Sequence, residues 1–245
     1  MSNRVCGVHA VRLALEGGQV RRLLLDQRRK DRRLDELRSL AARRGVAVEE
    51  VKAAELKRFA DGVRHQGAVA EIEGSAPLTE NQLEAWLAEA VNPLVLVLDG
   101  VEDPRNLGAC LRAADGAGVD AVVIPRRRAA GLTPAARKTA AGAAEAVPVY
   151  TVTNLSRVLE TMGAFGVHRV GAVLSEEARP PWQCTFAGSL ALVLGAEGEG
   201  MRRLTREHLD EMVYLPMHGT VESLNVAVAC GVLLYEARRQ RDTAN

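Results

Sequence analysis

The chain has 245 residues, 47% of them apolar and 3% aromatic, and a formal net charge of +1 at pH 7. That apolar share supplies one large or two smaller buried cores and excludes an intrinsically disordered chain. So few aromatic rings exclude an RNA surface built mainly on stacking platforms, which leaves phosphate and shape contacts to carry any nucleic-acid binding.

In chain order, the first stretch reads as a small α/β unit. A helical pattern at Val8–Leu15 precedes a short apolar run at Arg22–Leu25 and a charged helix at Asp31–Arg44, which Gly45 is placed to end. Short strands at Val46–Glu50 and Gly67–Ile72 complete a domain over residues 1–73. This segment holds 16 Lys/Arg against 11 Asp/Glu, a surplus of five, so the other residues sum to −4. A basic front end on a near-neutral body suits a polyanionic partner, although a solvated charged helix surface explains the same count. Residues 74–92, with Gly74, Ser75, Pro77, a polar run and a short amphipathic helix, read as a linker.

From Pro93 the pattern changes. Leu94–Leu98, Ala121–Ile124, Val167–Leu174 and Leu190–Leu194 read as strands buried on both faces. Helices are expected at Leu107–Gly116, Pro134–Ala144 and Thr153–Phe165, with a last amphipathic helix at Ser223–Gln240. The alternation predicts a parallel α/β sheet over 93–245, with ligands at the carboxyl ends of its strands. Cys6, Cys110, Cys184 and Cys230 are too scattered for a zinc site, and the five histidines suggest no metal. Without an apolar signal core or a stretch long enough to span a bilayer, the protein is expected to be soluble and cytoplasmic, with reduced thiols and no membrane partner.

Three loops carry candidate chemistry. The first, Asp99-Gly-Val-Glu-Asp-Pro-Arg-Asn-Leu-Gly-Ala-Cys-Leu-Arg112, runs from a strand into a helix and sets Asn106 six residues before Arg112. Both can lean toward a sheet edge where free backbone N–H groups favour anions; alone, Asn106 reads equally as a helix cap and Arg112 as a solvated helix arginine. The second, Gly195-Ala-Glu197-Gly198-Glu-Gly200-Met, has glycine spacing unlike a dinucleotide fingerprint, which disfavours a nicotinamide site, and places the Glu197 carboxylate where backbone can approach a ligand closely. A tight turn with exposed acids is its bland counterpart. The third, Tyr214-Leu-Pro-Met-His-Gly-Thr-Val-Glu-Ser223-Leu-Asn225-Val-Ala, reads as a short strand, a glycine turn and the opening of the last helix, with Ser223 where an N-cap is expected and Asn225 two residues into an apolar helix, an unfavourable place for asparagine.

Together D-P-R-N-L-G-A-C-L-R, L-G-A-E-G-E-G-M and L-P-M…E-S-L-N-V resemble the three ordered motifs of the SpoU/TrmH (SPOUT) family of RNA ribose 2′-O-methyltransferases. Gly7-Val-His-Ala-Val, His65-Gln-Gly-Ala-Val-Ala, Lys138-Thr-Ala-Ala-Gly-Ala-Ala-Glu and Arg202-Arg-Leu-Thr-Arg-Glu-His extend the likeness over essentially the whole chain, toward the RlmB-type subgroup. The resemblance implies an L30e-like RNA-binding first domain and a SPOUT domain with a carboxyl-terminal trefoil knot, an exception to unknotted topology. It implies S-adenosyl-L-methionine as cofactor, 2′-O-methylation of a guanosine in the peptidyl-transferase region of 23S rRNA, and a homodimer with the last helix in its interface. Its catalytic set would be Asn106, Arg112, Glu197, Ser223 and Asn225, and its cofactor contacts Gly195, Leu215, Met217 and Leu224. The counterpart of Arg112 has been assigned as general base in the family, yet a guanidinium with a pKa above about 12 suits phosphate binding and oxyanion stabilisation better. Glu222 stands where close relatives often carry serine. The apolar face Val226, Ala229, Leu233 and Ala237 of the last helix serves core or dimer equally. A tRNA guanosine 2′-O-methyltransferase and a non-catalytic RNA-binding paralogue remain as alternatives.

Overall fold

A computed structural model describes residues 3–18, 20–29, 31–60, 65–72, 78–196 and 200–243. The first unit runs β1 (Asn3–Cys6), α1 (Val8–Glu16), β2 (Val20–Asp26), α2 (Arg32–Arg43), β3 (Ala47–Val51), α3 (Ala53–Phe59) and β4 (Ala68–Ile72). Its sheet has the order β1-β4-β2-β3, with β2 and β3 parallel and β4 antiparallel to both of its neighbours. Leu23, Leu24 and Leu25 are all buried because helices cover both faces. Leu23 and Leu25 meet Val11, Leu15, Leu34 and Leu37 on the α1/α2 side, while Leu24 meets Leu56 on the α3 side. Asp31 caps α2 by accepting a hydrogen bond from the Arg33 N–H at 3.0 Å, and Gly45 reverses the chain after that helix with φ +67°.

The second unit contains α4 (Glu80–Glu89), β5 (Leu94–Asp99), α5 (Pro104–Gly116), β6 (Ala121–Pro125), α6 (Pro134–Ala140), α7 (Ala143–Ala146), β7 (Val149–Val152), α8 (Leu155–Ala164), β8 (His168–Ala172), β9 (Leu190–Gly195), α9 (Arg203–Arg206), β10 (Glu211–Val213) and α10 (Val226–Thr243). Six strands in the order β10-β8-β9-β5-β6-β7 pair in parallel throughout. β5, β6 and most of β9 are buried at every position, as two-sided helix cover requires. One face is covered by α5, α6 and α10 around Leu107, Leu111, Leu233 and Leu234, and the other by α4 and α8 around Leu83, Leu87, Leu159 and Met162. Residues 74–92, expected as a linker, thus include a helix that is part of the second core. No helix among the described residues is long and apolar enough to cross a membrane.

Four differences from the sequence reading matter for the site. The expected helix Pro134–Ala144 breaks at Ala141 (φ +54°) and Gly142 (φ +107°), where Leu13 of α1 fills the space that a side chain on Gly142 would occupy. β8 ends at Ala172 rather than Leu174. The last strand is Glu211–Val213, so Tyr214–His218 is an irregular connection. The last helix starts at Val226 rather than Ser223: Asn225 caps it, its Oδ1 accepting from the Ala227 N–H at 3.0 Å. On that helix Val226, Leu233 and Ala237 are buried in the protein's own core, and Ala229 packs against it.

Gly108 sits where α5 presses on α6. A Cβ there would lie 2.7 Å from Thr139 Cβ and closer still to the Ala136 carbonyl oxygen. Gly108→Ala is therefore expected to destabilise the protein by about 1–3 kcal/mol through overpacking, despite alanine's better helix propensity. Urea titration checks this; equal or higher stability would contradict it.

Candidate active site

Two neighbouring cavities open at the carboxyl end of the large sheet, where β5 and β9 finish side by side. The first, about 330 Å³, is lined by Asp99, Gly100, Glu102, Asn106, Arg128 and Arg202 among others. The second, about 610 Å³, is lined by Leu174, Leu194, Gly195, Met201, Arg206 and the segment Glu222–Asn225 among others. Ala196, Gly200 and Val226 belong to both, so they form the partition.

The loop after β9 is folded back hard on itself. Ala196 and Gly200 form an antiparallel bridge, with N–H···O distances of 3.1 and 3.0 Å. A Cβ on Gly195 would stand 2.7 Å from the Gly200 carbonyl oxygen and nearer to backbone atoms of Gly200 and Met201. Gly195 is thus required by this return of the chain, in addition to lining the cavity. Beyond the loop, Arg202 clasps Asp99: the backbone N–H donates to Oδ2 at 3.0 Å, and Nε lies 3.0 Å from Oδ1. The Asp99 carboxylate is fully buried while the Arg202 side chain is partly exposed, and the pair ties the β9 loop to the end of β5. Asp99 and Arg202 were not singled out from the sequence. A carboxylate ending an all-apolar strand was their only signal.

Asn106 occupies the first turn of α5, whose N-cap is Asp103, accepting from the Arg105 N–H at 2.7 Å, with Pro104 at the first helical position. Free of capping duty, the Asn106 side chain reaches across to the opening of α10. There Asn225 Nδ2 donates to Asn106 Oδ1 at 3.0 Å. Asn225 therefore does two jobs with one amide, since its oxygen caps α10 and its nitrogen fixes Asn106. Ser223 is exposed on the wall of the larger cavity, forms no hydrogen bond with another described residue, and caps nothing. Leu224 and Gly195 line the same cavity; Leu215 and Met217 are half-buried on the connection after β10 and are not on its described lining. Glu197 lies outside the described residues.

Arg112 is not gathered with the rest. It lies on the exposed face of α5, one turn before Gly116, whose carbonyl accepts from Tyr235 Oη of α10 at 3.3 Å. It makes no hydrogen bond or ion pair with another described residue. Behind the site, Cys110 and Cys230 are buried where α5 meets α10, and hydrogen bonding to Cys110, together with burial, raises the Cys230 thiol well above its usual range. Cys230 therefore stays protonated and unreactive. Among the described residues no group of three or more His, Cys, Asp and Glu could hold a metal ion.

The larger cavity suits S-adenosylmethionine in volume and chemistry. Leu174, Leu194, Met201 and Leu224 offer apolar walls for an adenine ring, while Arg206 and Glu222 supply opposite charges for a zwitterionic amino-acid end. The smaller cavity, with an amide pair at its edge and arginines on its rim, suits a nucleotide.

Comparison with known proteins agrees. A model of the SpoU rRNA methylase family matches residues 93–235, and one described as RNA 2′-O ribose methyltransferase substrate binding matches residues 4–78. The 23S rRNA (guanosine-2′-O-)-methyltransferase RlmB of Vibrio cholerae is 48% identical over 245 residues, covering 98% of each chain. Its namesake from Haemophilus influenzae is 47% identical over 243 residues, covering 98% of this chain and 99% of that one. The crystal structure of the SpoU methyltransferase AviRb from Streptomyces viridochromogenes in complex with AdoMet matches with a TM-score of 0.82 at 25% identity, over 98% of this chain and 90% of that one. Fold and site together are those of a SPOUT-class, S-adenosylmethionine-dependent RNA methyltransferase, with an amino-terminal substrate-binding domain and a carboxyl-terminal parallel-sheet domain carrying the knot region. The chain belongs to the SpoU rRNA methylase family.

Proposed function

We infer that this protein methylates the ribose 2′-oxygen of a guanosine in 23S rRNA. The observation that carries this is near-full-length identity of 45–48% to enzymes with that activity, joined to a carboxyl-edge site in which Asn106 and Asn225 are already locked together. S-adenosylmethionine supplies an electrophilic methyl group on a sulfonium. The protein's task is to hold the hydroxyl in line and stabilise negative charge as it develops on the oxygen. In this reading Asn106 and Asn225 orient the ribose, Ser223 offers a hydroxyl from the cavity wall, Glu197 belongs to the catalytic set through its motif, and Arg112 stabilises the oxyanion or the adjoining phosphate. Gly195 and Leu224, with Leu215 and Met217 on the adjoining connection, hold the cofactor.

Arg112 reaches such a site in a homodimer. Val228, Val232 and Tyr235 form an exposed apolar stripe at helical spacing on α10, 51%, 47% and 57% accessible. Pairing two copies through this stripe would put the neighbouring Arg112 at the junction between subunits. Residues 1–73, with their basic surplus, are read as the RNA-capturing domain, 74–92 as the connection and 93–245 as the catalytic domain, working on ribosomal RNA in the cytoplasm.

Transfer of labelled methyl from S-adenosylmethionine to unmodified 23S rRNA tests the reading. One methylated guanosine is the expected product. Transfer confined to tRNA, or tight cofactor binding with no transfer to any RNA, would overturn it in favour of a tRNA enzyme or a binding protein.

A further inference from the structure

The chain carries three consecutive arginines, Arg126-Arg127-Arg128, directly after β6 and on the same sheet edge as the site. Their setting is specific. The loop is fastened at both ends: the Arg126 N–H donates to the Val152 carbonyl at 2.8 Å, and the Ala130 N–H donates to the Val101 carbonyl at 2.8 Å, tying the loop to the one that leads to Asn106. Between these anchors Arg128 adopts φ +54°, a left-handed conformation unfavourable for a residue with a side chain, and it lines the smaller cavity beside Asn106 and Arg202. All three side chains are exposed, and none makes a hydrogen bond or ion pair with another described residue. Arg137, Arg157, Arg169 and Arg239, by contrast, each clasp a carboxylate. Three guanidiniums that engage no other described residue, on a pinned loop that brings Arg128 to the wall of a polar cavity, have no evident structural use.

We propose that Arg126, Arg127 and Arg128 form a clamp for the phosphodiester backbone of the RNA strand flanking the target nucleotide, a role that rests on the RNA methyltransferase reading above. Guanidinium forks match phosphate oxygens in geometry and charge. S-adenosylmethionine has no phosphate, and its carboxylate has Arg206 in the neighbouring cavity, so the cofactor leaves the triad unoccupied. Asp99, Glu102 and Asp103 face the same cavity, but Asp99 is held by Arg202 and Asp103 by the Arg105 N–H, which leaves Glu102 as the one carboxylate of that lining engaged by no other described residue. The clamp also sets a strong positive rim on a part of the chain whose formal charge is otherwise negative, which draws the strand toward Asn106.

The test compares the full-length protein with a triple Arg126→Gln/Arg127→Gln/Arg128→Gln variant and a matching triple lysine variant. RNA affinity is followed between about 50 and 200 mM salt, with calorimetric S-adenosylmethionine affinity and methyl transfer to 23S rRNA in parallel. Losing three phosphate contacts on a single strand should lower the slope of log affinity against log salt by about 2 and weaken binding on the order of tenfold. The lysine variant should restore the slope, and cofactor affinity should not change. An unchanged slope in the glutamine variant, or a loss of cofactor affinity equal to the loss of RNA affinity, overturns the clamp. Absence of methyl transfer by the unaltered protein refutes the functional reading instead, and the salt slope still judges the clamp.

Discussion

Arg137→Met should lower the stability of the fold by about 3–5 kcal/mol. Arg137 and Glu145 are paired at 2.5 Å with side chains only 6% and 4% accessible, and Arg137 Nε also donates to the Leu132 carbonyl at 3.3 Å. The pair braces the bend between α6 and α7 at which Gly142 admits Leu13, so it supports the joint between the two units. Removing the arginine takes a cation at hydrogen-bond distance away from a carboxylate that is only 4% accessible. Burial already raises the Glu145 carboxyl above its ordinary value of 4.5, and Arg137 opposes that rise. A raised folded-state pKa means that the group's contribution is fully present below about 4.5 and is lost as pH rises through the folded value. Without Arg137 the rise is larger, so the variant should lose more stability than the parent between mildly acid and neutral pH, and recover part of it on acidification. Urea unfolding at several pH values measures this; a variant as stable as the parent at neutral pH would contradict it.

Arg112→Ala should reduce kcat on the order of 10²–10³-fold while leaving S-adenosylmethionine affinity unchanged, the scale expected when one preorganised donor to a developing oxyanion is lost. Arg112 has no structural duty that would explain it. It pairs with no other described residue, and its helix already has a cap, a core face and a close contact with α6 that owe nothing to it. Its loss should therefore leave stability within about 0.5 kcal/mol of the parent, as for other exposed positions. Arg112→Lys separates two roles: a bidentate contact predicts a large loss of turnover, whereas near-parental turnover would remove any need for the guanidinium fork. Loss of RNA affinity with single-turnover chemistry intact would reduce Arg112 to a phosphate anchor.

The architecture of the large sheet was legible because β5, β6 and β9 are continuous apolar runs that only two-sided burial explains. β1, β7 and β10, with four, four and three residues, and the seven-residue α3 were not legible, since pairing with distant strands stabilises them more than any pattern of their own. Asn225 shows the same limit within the site. Serine and asparagine are both good caps, so local rules place the helix start at Ser223. The choice falls on Asn225 because its amide can also meet Asn106, 119 residues earlier in the chain. Asp99 was passed over for a related reason: its partner Arg202 lies 103 residues away. The motif loops could be read as chemistry, whereas the break at Gly142, the crossing at Gly195 and the placement of Arg128 on the wall of the smaller cavity arise from how distant segments meet.

Ribose methylation of a 23S rRNA guanosine is read out by a map of 2′-O-methyl positions in ribosomal and transfer RNA from cells with and without the gene. Loss of the methyl from a single 23S rRNA guanosine, restored by the parent protein but not by Arg112→Ala, is the predicted result. An unchanged 23S rRNA map, with methyl lost only from transfer RNA, would contradict it.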